Sequence, residues 1–155
     1  MTPPPFQWFL DQHREDVYRF LVATVGRQDA DDCFQETFLS AMRAYPRLRA
    51  NSNMRAWVLT IAHRKALDSH RARGRRPVPV ADPPERASTN GAAEPDAELW
   101  GEVRKLPAKQ RAAVALRYAG DLGHDEIGRV LGCSEEAARR NVHEGLKKLR
   151  LTWKA

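Results

Sequence analysis

Two stretches of this chain hold side chains able to grip a polyanion. Residues 122–150 read LGHDEIGRVLGCSEEAARRNVHEGLKKLR. Ile127, Val130 and Leu131 fall at helical spacing, Gly132 and Cys133 form a turn, and Ser134 stands as the N-cap of a second helix. This is a helix-turn-helix layout, whose second helix enters the major groove because only that groove admits a helix and distinguishes every base pair. Arg139, Arg140 and His143 lie on or near one face, opposite Ala138, Val142, Leu146 and Leu149. Glu135 and Glu136 favour the helix start electrostatically but repel phosphates, so their use in a groove is to accept from base edges such as a cytosine amine. The plainer reading is a helical hairpin with a solvated charged face. The other stretch carries His63, Arg64, Lys65, His70, Arg71, Arg73, Arg75 and Arg76 against a single acid, Asp68, a density that suits a phosphate track. The loop Arg47–Asn53 precedes it, with Tyr45 and Trp57 nearby. Basic grooves with stacking surfaces hold single strands, although Trp57 occupies an apolar helical position that equally fits a core.

The chemistry available is therefore binding. The five histidines form no HExxH, nor an HxE with CxxC, and no Gly-rich phosphate loop is present; no metal, no cofactor and no enzymatic activity are expected. The 155 residues, 42% hydrophobic and 30% charged, suffice for one ordinary domain or two small ones and exclude a large multi-domain enzyme. The net charge of +6 makes a polyanionic partner the first expectation. That charge is unevenly spread: residues 1–76 carry 13 basic and 8 acidic side chains, residues 77–95 carry 1 and 3, and residues 96–155 carry 12 and 9. No run approaches a membrane span and the start lacks a secretory signal, so a cytoplasmic location and no membrane insertion are expected. Cys33 and Cys133, a hundred positions apart, read as buried or half-buried free thiols.

The elements that must position these groups are helices. Apolar spacing predicts one over Phe6–Val25 ending at Gly26 (Phe6, Phe9, Leu10, His13, Val17, Phe20, Leu21), a second over about Asp29–Tyr45 (Ala30, Cys33, Phe34, Phe38, Ala41, Met42, Tyr45), and a third after Ser52 or Asn53 (Met54, Trp57, Val58, Ile61, Ala62). Beyond residue 96 come Asp96–Leu106, then Pro107 at a helix N1 position leading Ala108–Tyr118, then two shorter helices. Residues 74–95 hold five of the ten prolines and no apolar period, which marks a linker with a reach of about 25–30 Å. The expected fold is all-α: two small helical domains, 1–76 and 96–155, joined by the Pro-rich linker 77–95, so that two modules can occupy distant sites.

With these stretches read, the chain resembles the extracytoplasmic-function sigma factors, the small promoter-specificity subunits of bacterial RNA polymerase, over nearly its whole length. DADDCFQETFLSAMR (Asp29–Arg43) is similar to the family's polymerase-binding helix. NMRAWVLTIAHRKALDSHR (Asn53–Arg71) is similar to the helix facing the melted −10 promoter element, and LPAKQRAAVALRYAGDLGHDEIGRVLGCS (Leu106–Ser134) to the opening of the second domain and its helix-turn-helix. The resemblance implies docking on the β and β′ subunits of core polymerase through Asp31, Asp32, Gln35, Glu36 and Phe38. It implies single-stranded −10 DNA at Leu48, Arg49, Ala50, Asn51, Ser52, Asn53, Arg64, Lys65 and Arg71, and duplex −35 DNA at Ser134, Glu135, Glu136, Ala137, Arg139, Arg140, His143 and Lys147. An anti-sigma protein is a further implied partner. Family members usually carry Asn where this chain has Arg64, and Ala is common where it has Gly145; Asn141 and Glu144 make the recognition helix less basic than is usual. The rival is a free-standing helix-turn-helix regulator with an N-terminal dimerisation or ligand domain. It explains residues 122–150 equally well but requires neither the basic first block nor the acidic docking helix.

Overall fold

The structure, a computed structural model, describes residues 4–49, 53–75 and 97–153, and every regular element among them is helical. The first block contains α1 (Phe6–Val25), α2 (Arg27–Ala44), a 3-10 turn (Tyr45–Arg47) and α3 (Met54–Arg75). The second contains α4 (Ala97–Arg104), α5 (Ala108–Tyr118), α6 (His124–Leu131) and α7 (Glu135–Trp153). No described helix is long and apolar enough to cross a membrane. The expected linker falls outside the described residues.

Local chemistry sets the boundaries. Gly26 alone separates α1 from α2, at φ +86°, ψ 162°, a conformation open to glycine and strained for other residues. Pro46 at the start of the 3-10 turn ends α2. The Asn53 side-chain oxygen accepts from the Ala56 N–H at 3.0 Å and caps α3; Ser134 Oγ accepts from the Ala137 N–H at 3.0 Å and caps α7. Two expectations are corrected. Pro107 is the N-cap of α5 rather than N1, since its extended backbone (φ −55°, ψ 151°) lies outside the helix while its carbonyl accepts the Arg111 N–H at 2.8 Å. The last helix is not short: α7 runs 19 residues.

The α1–α3 core is aromatic at one end, where Phe9 sits against Phe38, Tyr45 and Trp57 with ring centroids 6.2, 5.2 and 5.6 Å apart. It is aliphatic at the other, through Val17, Phe20, Leu21, Val58, Leu59 and Ala62. Trp57 therefore serves the core, half-buried on Phe9. Both cysteines are free thiols, Cys33 buried and Cys133 half-buried.

This core does not stop at the first block. Leu116, Leu122, Ile127 and Val130 from α5, α6 and their connection join the same buried cluster. Leu59 closes on Gly120 so tightly that a Cβ there would lie 3.1 Å from its Cδ1. A smaller cluster, Val103, Leu106, Val114 and Leu149, belongs to the second block alone. The two blocks are thus packed together, with α6 against α3 and α4 and α5 against α1.

The helix-turn-helix closes on two glycines. A Cβ at Gly128 would lie 2.7 Å from the Cys133 carbonyl oxygen, and one at Gly145 would lie 2.7 Å from Val114 Cγ2. Alanine improves intrinsic helix propensity by about 1 kcal/mol over glycine, yet overpacking costs about 1–3 kcal/mol. Gly145→Ala is therefore expected to lower stability in urea unfolding, with recovery when Val114→Ala is added. Gly128→Ala should cost more, because its neighbour is backbone and cannot be trimmed.

Candidate nucleic-acid interface

On α7 the exposed face carries Glu135, Glu136, Arg139, Arg140, His143 and Lys147, while Ala138, Val142, Gly145 and Leu149 are buried against α5 and α6. The structure thus brings together the side chains read from sequence as one face, turned to solvent. Ser134 is exposed with its hydroxyl committed to the cap, and Ala137 is half-buried. Arg139 is held by Glu135 at 2.8 Å, so Glu135 competes with any base edge or phosphate for that guanidinium. Gly132, at φ +76°, terminates α6 and sets the turn that presents this face.

The expected single-strand face on α3 is less basic than its composition. Lys65 pairs with Glu36 at 3.9 Å and Arg73 with Asp29 at 2.7 Å, both acids reaching across from α2, and Arg71 lies 3.6 Å from Asp68. These acids and Asp32 line a groove of about 410 Å³ between α2 and α3. The expectation that Asp68 is the only opposing charge is corrected: helix pairing supplies counter-charges that lie thirty or more positions away in the chain. Arg64 is exposed and, among the described residues, paired with no carboxylate. Trp57, Arg64 and Arg71 follow at seven-residue spacing and so share one side of α3.

Two histidines leave the phosphate track altogether. His70 Nε2 lies 2.8 Å from the Thr24 carbonyl oxygen, and burial, then Arg111, hold its pKa below the ordinary value. His63 is packed toward the second block; burial first, then the charges of Arg111 and Arg64, push it down to about 4. Both are neutral at pH 7, and neither supplies a cation to DNA. Arg111 itself is tied down, donating to the carbonyls of Arg104 and Leu106 at 3.4 and 3.3 Å.

In the loop, Leu48 is half-buried against the core, and Arg49 and Asn53 are exposed; Ala50, Asn51 and Ser52, with Arg76, lie outside the described residues. Asn53 does more than cap α3: its amide donates to Glu126 Oε2 at 2.6 Å. On α2 the acids Asp31, Asp32 and Glu36 are exposed together with Gln35. Phe38 is corrected from a surface residue to a core one. It is 7% exposed, packed on Phe9 and Phe34, and supports the acidic face from beneath. Met42, read as core, is instead exposed (49%) beside Leu39 (44%). Spacing carried the missed signal, since Gln35, Leu39 and Met42 recur at four and three residues and continue the acidic face down one side of α2.

Residues 9–76 match the family model Sigma-70 region 2, and residues 97–149 match Sigma-70, region 4. The ECF RNA polymerase sigma factor SigD of Mycobacterium tuberculosis is 34% identical over 91% of this chain and 73% of its own length. The ECF RNA polymerase sigma factor SigE of Mycolicibacterium smegmatis is 31% identical over 95% of this chain, which spans 61% of that relative. Among solved structures, the sigma factor RpoE from Bartonella quintana, crystallised with the anti-sigma factor NepR, has the same fold, with TM-score 0.79, 21% identity and 97% of each chain covered.

The packing of His63 has a pH consequence. Its folded pKa near 4 lies below the 6.5 of the free side chain, so in the intervening window the unfolded chain binds a proton that the folded chain refuses. Stability must then fall as pH falls through 6.5; His70 and His13, also shifted down, add in the same direction. Thermal unfolding at pH 7, 6 and 5 is expected to show a falling midpoint, with a shallower fall in His63→Gln.

Proposed function

Because this chain belongs to the extracytoplasmic-function sigma factors of the sigma-70 family, we propose that it binds core RNA polymerase and directs initiation at a particular set of promoters. It works by binding and not by catalysis. The observation that carries the reading is the presence of both sigma regions, in order, in one chain whose acidic α2 face and basic α7 face both reach solvent. Domain boundaries at residues 76 and 96 follow from the same reading.

Asp31, Asp32, Gln35 and Glu36, extended by the exposed Leu39 and Met42, form the polymerase-docking face, complementary to a basic helical surface with apolar contacts. Melted −10 DNA is engaged by the loop 47–53 and by Arg64 and Arg71; the acids of α2 hold Lys65 and Arg73 in reserve. A base flipped out of the stack forfeits a few kcal/mol of stacking and pairing, which capture in the loop offsets. Duplex −35 DNA, two to three turns upstream, is read by Arg139, Arg140, His143 and Lys147. An Asn amide pairs best with adenine, whereas Arg favours guanine edges or a phosphate, so Arg64 alters either base preference or salt sensitivity at the upstream end of the melted element. An anti-sigma protein is a further partner, and the fold shared with a sigma factor crystallised beside one supports this.

Two experiments test the reading. Reversal of Asp31, Asp32 and Glu36 to Lys should abolish co-purification with core polymerase while helix content stays unchanged; retained binding would remove the docking face. Arg139→Ala should lower promoter use by the equivalent of about 1–3 kcal/mol and relax preference at one −35 position, as a bidentate guanine contact requires. In transcription from a promoter library, an equal loss on all −35 sequences would instead identify a phosphate contact.

A further inference from the structure

Four polar contacts join the two blocks across the shared core, and two of them hold the start of α3. Glu126 on α6 accepts from the Asn53 amide at 2.6 Å. Arg55, one turn of chain further on, donates to the Asp121 carbonyl at 3.4 Å and lies 3.8 Å from its carboxylate. The other side of Arg55 meets Asp16 of α1 at 3.2 Å, in ion-pair rather than hydrogen-bond geometry. Elsewhere Arg104 donates to the Val22 carbonyl at 2.8 Å and Arg19 to the Ala119 carbonyl at 3.4 Å. We propose that this packing is an autoinhibited state of the polymerase-free chain, latched by Glu126 on Asn53 and Asp121 on Arg55, and that engagement of a promoter requires its release. The inference rests on the function proposed above and adds a regulatory contact to it.

Two physical arguments carry it. The first is distance. Packed helices lie about 8–10 Å apart, and α6 is packed on α3. Promoter elements two to three helical turns apart are separated by roughly 70–100 Å. A helix-turn-helix held on α3 cannot lie on one element while α3 lies on the other. The second is chemistry. The latch consumes the amide of Asn53, a residue assigned to the melted strand, and sets the Glu126 and Asp121 carboxylates beside the same loop, where they repel incoming phosphates. The latch is also built to release: its polar partners lie at the surface, where water replaces each contact at a net loss of only about 0.5–1.5 kcal/mol.

The test uses the full chain with Glu126→Gln and Asp121→Asn combined. Glu126→Gln keeps an oxygen for the Gly123 N–H that Glu126 Oε1 caps at 2.8 Å, but sets an amide against the Asn53 amide. Asparagine tolerates the left-handed backbone of Asp121 (φ 60°). A cooperative melt first establishes that the variant folds. Spin labels at Arg14→Cys and Lys148→Cys, in a Cys33→Ala, Cys133→Ala background, report the separation of the blocks, and abortive transcription at limiting factor reports open-complex formation. A single short distance in the parent protein, a longer population in the variant and a roughly fivefold faster open-complex formation are the expected results. A parent already extended without polymerase overturns the proposal, as does a variant that stays closed, or one that opens yet initiates at the parent rate. If neither protein initiates with core polymerase at any promoter, the proposed function itself has failed, and the latch falls with it.

Discussion

Helix α3 is enclosed on two sides: α1 and α2 cover one, and α6 lies along the other. Leu59, at no measurable exposure, sits where the two sets of partners meet, and Leu116, Leu122 and Ile127 reach it from the second block, all fully buried. Burying each such side chain is worth roughly 1.5–3 kcal/mol, part of which is forfeited when the blocks separate. The surface contacts across the same seam contribute less than this apolar contact. The polar groups therefore choose the register of the packed state, and the leucines supply its strength.

That arrangement redistributes charge. Basic residues concentrated on α3 in the chain are met in the fold by α2 acids on one flank, and on the other by Arg111, whose cation keeps His63 and His70 neutral. What remains toward solvent is narrower than the composition: Arg64 and Arg71 on α3, and Arg139, Arg140 and Lys147 on α7. The electrostatic footprint on nucleic acid is thereby concentrated at two short faces rather than spread over a track, which favours placement over indiscriminate adhesion to phosphate.

α2 has a related economy. Its inward side is aromatic, with Phe34 and Phe38 at 4.9 Å and Phe34 on Tyr18 at 5.9 Å, and this rigid backing carries acids and two exposed apolar side chains on the outward side. A helix whose core face is this firmly seated presents its outer face without reorganisation, so little ordering is lost when a partner docks.

Much was legible in the chain itself. Helix periodicity, glycine and proline punctuation and the Asn53 and Ser134 caps are local properties, decided within a few residues by backbone sterics and hydrogen bonding; α1 and the helix-turn-helix accordingly lie where the spacing puts them. The alternation of faces on α7 follows from the same period and carried Arg139, Arg140 and His143 to solvent together. Spacing could not tell that Phe38 is sealed while Met42 is open, because an apolar stripe wider than its neighbour leaves its rim uncovered, and the width is a property of the neighbour. Nor could it show Asp29 and Glu36 facing the α3 cations, the neutral His63, or Glu126 on Asn53, since each joins residues that are distant in sequence. Such pairings exist only once helices have packed. Periodicity states which side of a helix is apolar, and only tertiary contact decides what that side meets.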